Sequence, residues 1–229
     1  MATHEQIYLN QADAYEFMIS KQPDLSEFIG EIRPLHGLDI LDLGAGSGRL
    51  SVFLAKEAKS LVCTDISSSM LALLNNKLMG QGIARNWKTV IADHKQLPIS
   101  DEAFDLVVSG WSISYLTNSG NMNWEENLEI IISEMNRVLK PAGTIVIIET
   151  LGTGTESPNP PEFLTDYYKA LQEKYGFNKK WIRTDYKFNS VEEARENTAF
   201  FFGDDIAEKI SVNQWSTVPE CAGIWWKHL

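Results

Sequence analysis

The residues best placed by type and spacing to do chemistry are a glycine-rich heptapeptide, Asp42-Leu-Gly-Ala-Gly-Ser-Gly48, and three acidic residues beyond it, Asp65, Asp93 and Glu149. Glycines at alternate positions, Gly44, Gly46 and Gly48, remove every Cβ that would hold the backbone away from a ligand and allow a sharp turn at positive φ. Such a turn ahead of a helix leaves N–H groups unpaired at the positive end of the helix dipole, where a carboxylate or phosphate is attracted. Asp65, Asp93 and Glu149 each follow a short strand-like run, so a parallel sheet would bring all three to the same edge as the glycine loop. A carboxylate there can accept two hydrogen bonds from the vicinal hydroxyls of a ribose. These features together read as a nucleotide-type site. The competing readings are a ligand-free strand-to-helix turn and, for Asp65, an N-cap for the segment Ser67–Met79.

Spacing decides which nucleotide. A dinucleotide fingerprint counted from Gly44 needs a third glycine where Arg49 stands, and counted from Gly46 it fails at Ser51. No Gly-Lys-Ser/Thr ending marks a Walker loop. The pattern acidic-x-Gly-x-Gly-x-Gly instead resembles that of the class I S-adenosylmethionine (SAM)-dependent methyltransferases, and the resemblance extends over about residues 38–150. It implies an α/β fold: a doubly wound, Rossmann-like, seven-stranded and mostly parallel sheet with an antiparallel last strand and helices on both faces.

The same resemblance implies a cofactor site made of Asp42, Gly44, Ala45, Gly46 and Gly48 around the loop, with Asp65 on the ribose and Ile66 beside it. Asp93 and His94 then lie at the adenine, and Ser109 and Trp111 at the methionine part. Trp111 offers a π face to a sulfonium, an attraction of about 0.5–2 kcal/mol when desolvated. An N-terminal helix closing over the cofactor makes Tyr15, with Tyr8, a lid candidate, against the alternative of plain packing on the sheet. The turn Leu139-Lys140-Pro141-Ala142-Gly143 resembles the family's Leu-Lys-Pro-Gly-Gly, and its departure at Ala142 is mild if that residue keeps φ below zero.

Methyl transfer is an in-line displacement that positioning alone accelerates greatly, by about 7–11 kcal/mol of barrier. A base is needed only for a poorly ionised hydroxyl or a carbon acid. Glu149 and His94 are the ionisable residues near the edge that could serve. The loop Gly152–Pro161 is expected to overhang the methyl group, and Phe163 and Tyr167, four apart on one helical face, are expected to line an apolar pocket for a small-molecule acceptor. A protein that binds SAM without transferring its methyl group shares every one of these features.

The elements that must position these residues follow from periodicity. Apolar runs at Leu38–Leu43, Ser60–Thr64, Trp87–Ile91, Phe104–Ser109 and Thr144–Ile148 read as five strands, alternating with helical patterns at Leu50–Ala58, Ser67–Met79 and Trp124–Leu139. Helices are expected at His4–Ile19 and Leu25–Ile32 before the first strand. After the fifth strand the reading is helix Glu162–Tyr175, strand Ile182–Phe188, helix Val191–Ile210 broken at Gly203, and strand Ile224–Lys227. With 229 residues, one domain is expected: residues 1–34 as lid, 38–150 as cofactor core, 151–229 as acceptor-side elements.

Composition narrows the remaining classes. A net charge of −11 argues against a surface that tracks phosphates, so nucleic acid is not expected as a partner. No apolar run approaches a membrane span, and two cysteines, Cys63 and Cys221, suit a reducing cytoplasm. No cluster has metal-ligand spacing, and none is expected to hold a metal.

Overall fold

Aliphatic residues on both faces of short runs give strands buried on both sides, and the computed structural model, which describes residues 11–229, places them at the centre of a sheet. Strands β1 (Asp39–Leu43), β2 (Ser60–Asp65), β3 (Trp87–Ile91), β4 (Phe104–Gly110) and β5 (Leu139–Thr153) join β6 (Asn178–Arg183) and β9 (Glu220–His228) in the order β3-β2-β1-β4-β5-β9-β6. The pairs β1–β2, β1–β4, β2–β3 and β4–β5 are parallel. Contacts of Thr144 with His228 and of Thr150 with Glu220 run in opposite directions along the chain, so β9 is antiparallel to β5. This is the mostly parallel, doubly wound sheet expected from the sequence.

Helices alternate with the strands: α1 (Ala12–Ile19), α2 (Ser26–Ile32), α3 (Ser51–Glu57), α4 (Ser68–Gly80), α5 (Ser114–Thr117) and α6 (Trp124–Val138). After β5 come a 3-10 turn at Glu162–Leu164 and α7 (Thr165–Glu173), then α8 (Val191–Phe202) and α9 (Asp204–Asn213). Helix α6 shows why the pattern was readable: Leu128, Ile131, Ile132, Met135 and Val138 recur at helical spacing and are all buried. Gly203, at φ 87°, separates α8 from α9 where a break was expected. A short pair, β7 (Tyr186–Lys187) with β8 (Thr217–Val218), replaces the expected strand Ile182–Phe188, whose start belongs to β6 instead.

Ala142 departs from the sequence expectation. Its φ is +63°, in the left-handed region that disfavours a Cβ, so replacing the family's glycine there is a source of strain rather than a mild change. The turn holds because its neighbours fix it. Lys140 Nζ lies 2.8 Å from Asp39 Oδ2 and 3.0 Å from Asp105 Oδ2, while Asp105 also accepts from the Asp39 N–H at 2.9 Å. The Lys140 ammonium, with the Ser60 hydroxyl, brings Asp39 down to about 2.

The described residues form two compact units. The larger comprises Asp24–Glu149, Pro161–Lys180 and Ile224–Leu229, and contains the strand ends that carry the candidate site. The smaller comprises residues 11–23, Thr150–Pro160 and Trp181–Gly223. Met18, Tyr186, Phe188, Ala194, Ile210 and Val218 form the core of the smaller unit, with a Lys21–Glu193 ion pair of 3.3 Å at its side. Tyr8 and the first residues of the expected N-terminal helix lie outside the described residues. Among the described residues no helix is long and apolar enough to cross a membrane.

Candidate functional site

The glycine loop follows β1 directly and turns with φ 76° at Gly44, 53° at Gly46 and 94° at Gly48. Its position relative to β2 is set by hydrogen bonds: the N–H groups of Gly44 and Ala45 both donate to Thr64 O at 2.8 Å. Gly46 N–H donates to Asp65 Oδ2 at 2.9 Å, and Ser67 N–H to Asp65 Oδ1 at 2.8 Å. Asp65 therefore stands beside the loop with both oxygens fixed by backbone donors. The cap of α4 is Ser67, whose hydroxyl accepts from Met70 N–H, so the capping role that competed for Asp65 is filled by another residue. A Cβ on Gly48 would run into Leu74, and one on Gly44 into Ser112 and the His94 ring. Close approach, as well as turning, requires glycine at both positions.

Asp42 is buried beneath the loop and accepts a short hydrogen bond from Ser51 at the start of α3. Burial, reinforced by the nearby Asp65 charge, pushes its carboxyl up to about 7, partly offset by the Ser51 hydroxyl. Asp42 thus supports the loop from below.

The β2 and β3 ends frame an open groove of about 430 Å³ lined by Ile66, Ile91, Ala92, Asp93, Leu97 and Pro98. Ile66 is 72% exposed and Ile91 62%, an apolar surface that would suit the face of a planar base. Asp93 Oδ1 accepts from Lys95 N–H at 2.9 Å, leaving its other oxygen available for an exocyclic amine. His94 turns away from this groove to meet Ser112, Nε2 to Oγ 2.8 Å, and its Nδ1 is buried without a hydrogen-bond partner. Burial lowers its pKa against the opposing pull of Asp65 and Asp93.

After β4 the chain bends sharply. Trp111 has φ 50°, a left-handed conformation that is strained for a bulky residue and of the kind found at functional sites. Its N–H donates to Ile148 O at 2.7 Å. The cation over its ring is the Arg49 guanidinium, 3.2 Å from the ring centroid, so one π face assigned to a sulfonium is already covered. Ser109, buried, donates its hydroxyl to Leu43 O at 2.8 Å. Its side chain ties β4 to β1, leaving only backbone to meet a ligand.

Glu149, within β5 and one residue beyond the last residue paired with β4, is fully buried. Its Oε1 accepts from Ser114 N–H at 3.0 Å and its Oε2 from Ser114 Oγ at 2.9 Å. Burial raises its carboxyl to about 7, with the Ser114 donors and Arg49 pulling the other way. The Tyr167 hydroxyl, also buried and without a hydrogen-bond partner, is kept protonated by burial and by the adjoining Glu149 charge. Glu149 consequently anchors the segment after β4 and is not presented to solvent as a base. Phe163 and Tyr167 do not share a face: Phe163 sits on the 3-10 turn and is 53% exposed, whereas Tyr167 on α7 is buried. The change of helix type between them breaks the four-residue spacing.

In the smaller unit, Tyr15 packs its ring on Phe201 of α8 with centroids 5.3 Å apart. The segment that begins the expected acceptor-side loop at Gly152 is held at several points, by Gly154 N–H to Pro219 O at 2.7 Å, Asn159 N–H to Leu151 O at 2.7 Å and Arg183 Nη1 to Glu156 O at 3.2 Å. Sequence reasoning passed over Arg49, Ser51 and Ser114. Arg49 was legible as the cation directly after the last loop glycine, but a lone serine carries no signal until the fold shows what it bonds.

The comparisons with known proteins agree with this geometry. A family model described as a methyltransferase domain matches residues 41–147. The chain is 32% identical over 158 residues to the ubiquinone/menaquinone biosynthesis C-methyltransferase UbiE of Rickettsia prowazekii, covering 66% of this chain and 56% of that protein. To the UbiE of Coxiella burnetii it is 34% identical over 125 residues, 53% of this chain and 46% of that one. The chain thus spans about half the length of the curated relatives it matches. Among solved structures, a SAM-dependent methyltransferase from Aquifex aeolicus superposes with a TM-score of 0.62 over 94% of this chain and 96% of that chain, at 16% identity, a likeness of fold.

Proposed function

This chain belongs to the class I SAM-dependent methyltransferases, and on that premise we propose that it transfers the cofactor's methyl group to a small organic acceptor. The observation that supports this reading is the bond from Gly46 N–H to Asp65, which holds the Asp65 carboxylate against a loop whose glycines at positions 44 and 48 have no room for a side chain. The groove with Ile66 and Asp93 lies at the next strand end and supports an adenine there. SAM, when bound, supplies an electrophilic methyl group on a sulfonium. The chain's own residues then orient and enclose: Asp65 holds the ribose, Ile66 and Asp93 the base, and the strained Trp111 segment the methionine side.

Within β5, both carboxylate oxygens of the buried Glu149 are taken by Ser114. Positioning, rather than proton removal by Glu149, is the contribution this supports. The UbiE relatives carry C-methyltransferase in their name. By extension, an electron-rich aromatic carbon or its attached hydroxyl is the acceptor we favour.

Calorimetry with SAM, S-adenosylhomocysteine and NAD tests the cofactor, and binding of NAD alone would overturn the reading. A panel of phenols, hydroquinones, amines and carboxylates assayed for S-adenosylhomocysteine formation tests transfer. Cofactor binding with no turnover on any of them would favour a SAM-binding protein without transferase activity.

A further inference from the structure

The strand ends that frame the cofactor edge stand in the order β3-β2-β1-β4. Their pairs are parallel and in register close to those ends, with Asp65 opposite Ile91, Leu43 opposite Thr64 and Asp42 opposite Val108. Neighbouring strands lie about 4.8 Å apart, so the row spans about 14 Å. On the reading proposed above, the base lies at the β3 end, by Ile91 and Asp93, and the ribose at Asp65 on β2. The rest of the cofactor then runs on across β1, over the glycine loop, towards the end of β4.

Two residues meet where that tail arrives. Arg49 follows Gly48, the last glycine of the loop, and Trp111 follows Gly110, the last residue of β4. A Cβ on Gly110 would strike Leu50 Cδ1, so the loop and β4 approach closely here. That approach brings the half-buried Arg49 guanidinium over the Trp111 ring, 3.2 Å from its centroid, while the bond from Trp111 N–H to Ile148 O holds the ring's own backbone at φ 50°. Stacking engages the face of a guanidinium, whereas a carboxylate is recognised at its edge, through two parallel N–H···O bonds. Glu149 is close enough to feel the Arg49 charge, but both Glu149 oxygens accept from Ser114.

We propose that Arg49, steadied by Trp111, binds the α-carboxylate of the cofactor's methionine part and so fixes the end of the cofactor that carries the sulfonium. This assignment rests on the SAM reading above and adds to it a cation that neither the loop glycines nor the acidic residues supply. Asp65 and Asp93 accept from hydroxyl and amine donors, which leaves the carboxylate of the ligand to a cation. Trp111 is then a positioning residue, its ring face holding the guanidinium rather than the sulfonium.

The test is calorimetry with S-adenosylhomocysteine and with its decarboxylated analogue, which keeps the base, ribose, sulfur and ammonium and lacks only the carboxylate. The parent should bind S-adenosylhomocysteine about tenfold or more tightly than the analogue. Arg49→Gln should weaken S-adenosylhomocysteine by about that factor and leave the analogue within about twofold, so that the discrimination disappears. Arg49→Met keeps an unbranched stem on the indole without the charge, and carries the same comparison if the glutamine variant does not fold. Equal affinity of the parent for both compounds, a variant that still discriminates between them, or an equal loss of both would overturn the proposal, the last by making Arg49 a structural support of the loop. A parent that binds neither compound would overturn the cofactor reading itself, whereas a variant that binds S-adenosylhomocysteine as the parent does would overturn only the assignment of Arg49.

Discussion

Replacing Glu149 by glutamine should leave stability nearly unchanged in mild acid and raise it substantially in mild alkali. In the folded protein burial lifts this carboxyl from 4.5 to about 7, so between those values the folded state keeps a proton that the unfolded chain has released. Because the unfolded state then binds fewer protons, the contribution of this group to stability falls as pH rises through this window: it is fully present below about 4.5 and is lost as pH rises through about 7. A rise from 4.5 to about 7 corresponds to about 3 kcal/mol, at about 1.4 kcal/mol for each tenfold change in proton affinity. Glutamine resembles the protonated acid: its carbonyl can accept from Ser114 N–H while its amide donates to Ser114 Oγ. The variant should therefore match the parent at about pH 4.5 and exceed it by about 3 kcal/mol at about pH 8, while Asp42, also raised to about 7, preserves a residual slope in both proteins. Urea unfolding across this range, with Cm and m recorded at each pH, supplies the measurement. Parallel curves for parent and variant would refute the reasoning, since they would mean that Glu149 ionises equally in the folded and unfolded states.

Ala142→Gly should raise the melting temperature by about 1–4 °C, because relief of about 1–2 kcal/mol of left-handed strain exceeds the added chain entropy of glycine; the methyl group is exposed and loses no packing. A lower melting temperature would show that the turn tolerates Cβ. Asp65→Ala should weaken SAM binding by about 1.5–3 kcal/mol in calorimetry, with Asp65→Asn losing less, and an affinity that does not change would remove Asp65 from the ribose. Tyr167→Ala should cost about 3–5 kcal/mol of stability as a buried aromatic, whereas the exposed Phe163→Ala should cost less than about 0.5 kcal/mol. Any rise in acceptor KM for Phe163→Ala, measured once an acceptor is found, would then report contact, and a constant KM would exclude that residue from the pocket.

The central strands, the glycine loop and the order of the strand ends were legible because each depends on local pattern. An aliphatic run such as Ile145–Ile148 has no other low-energy use than a buried strand, and alternate glycines at 44, 46 and 48 encode a turn whatever surrounds them. Gly203 broke a helix for the same local reason. The extent of β5 was not legible, because Lys140 to Gly143 read as a turn and extended pairing to both sides of it depends on β4 and β9.

Positive φ at Ala142 and Trp111 was equally hidden, since only tertiary contacts, the Lys140 ion pairs in one case and the bond to Ile148 in the other, can hold a residue with a Cβ there. Amino-acid type identified Glu149 and Tyr167 as groups able to do chemistry. Tertiary packing determined that they are buried against Ser114 and each other, because burial and hydrogen-bond partners come from residues distant in the chain, and those decide whether an acid meets a substrate or anchors a turn.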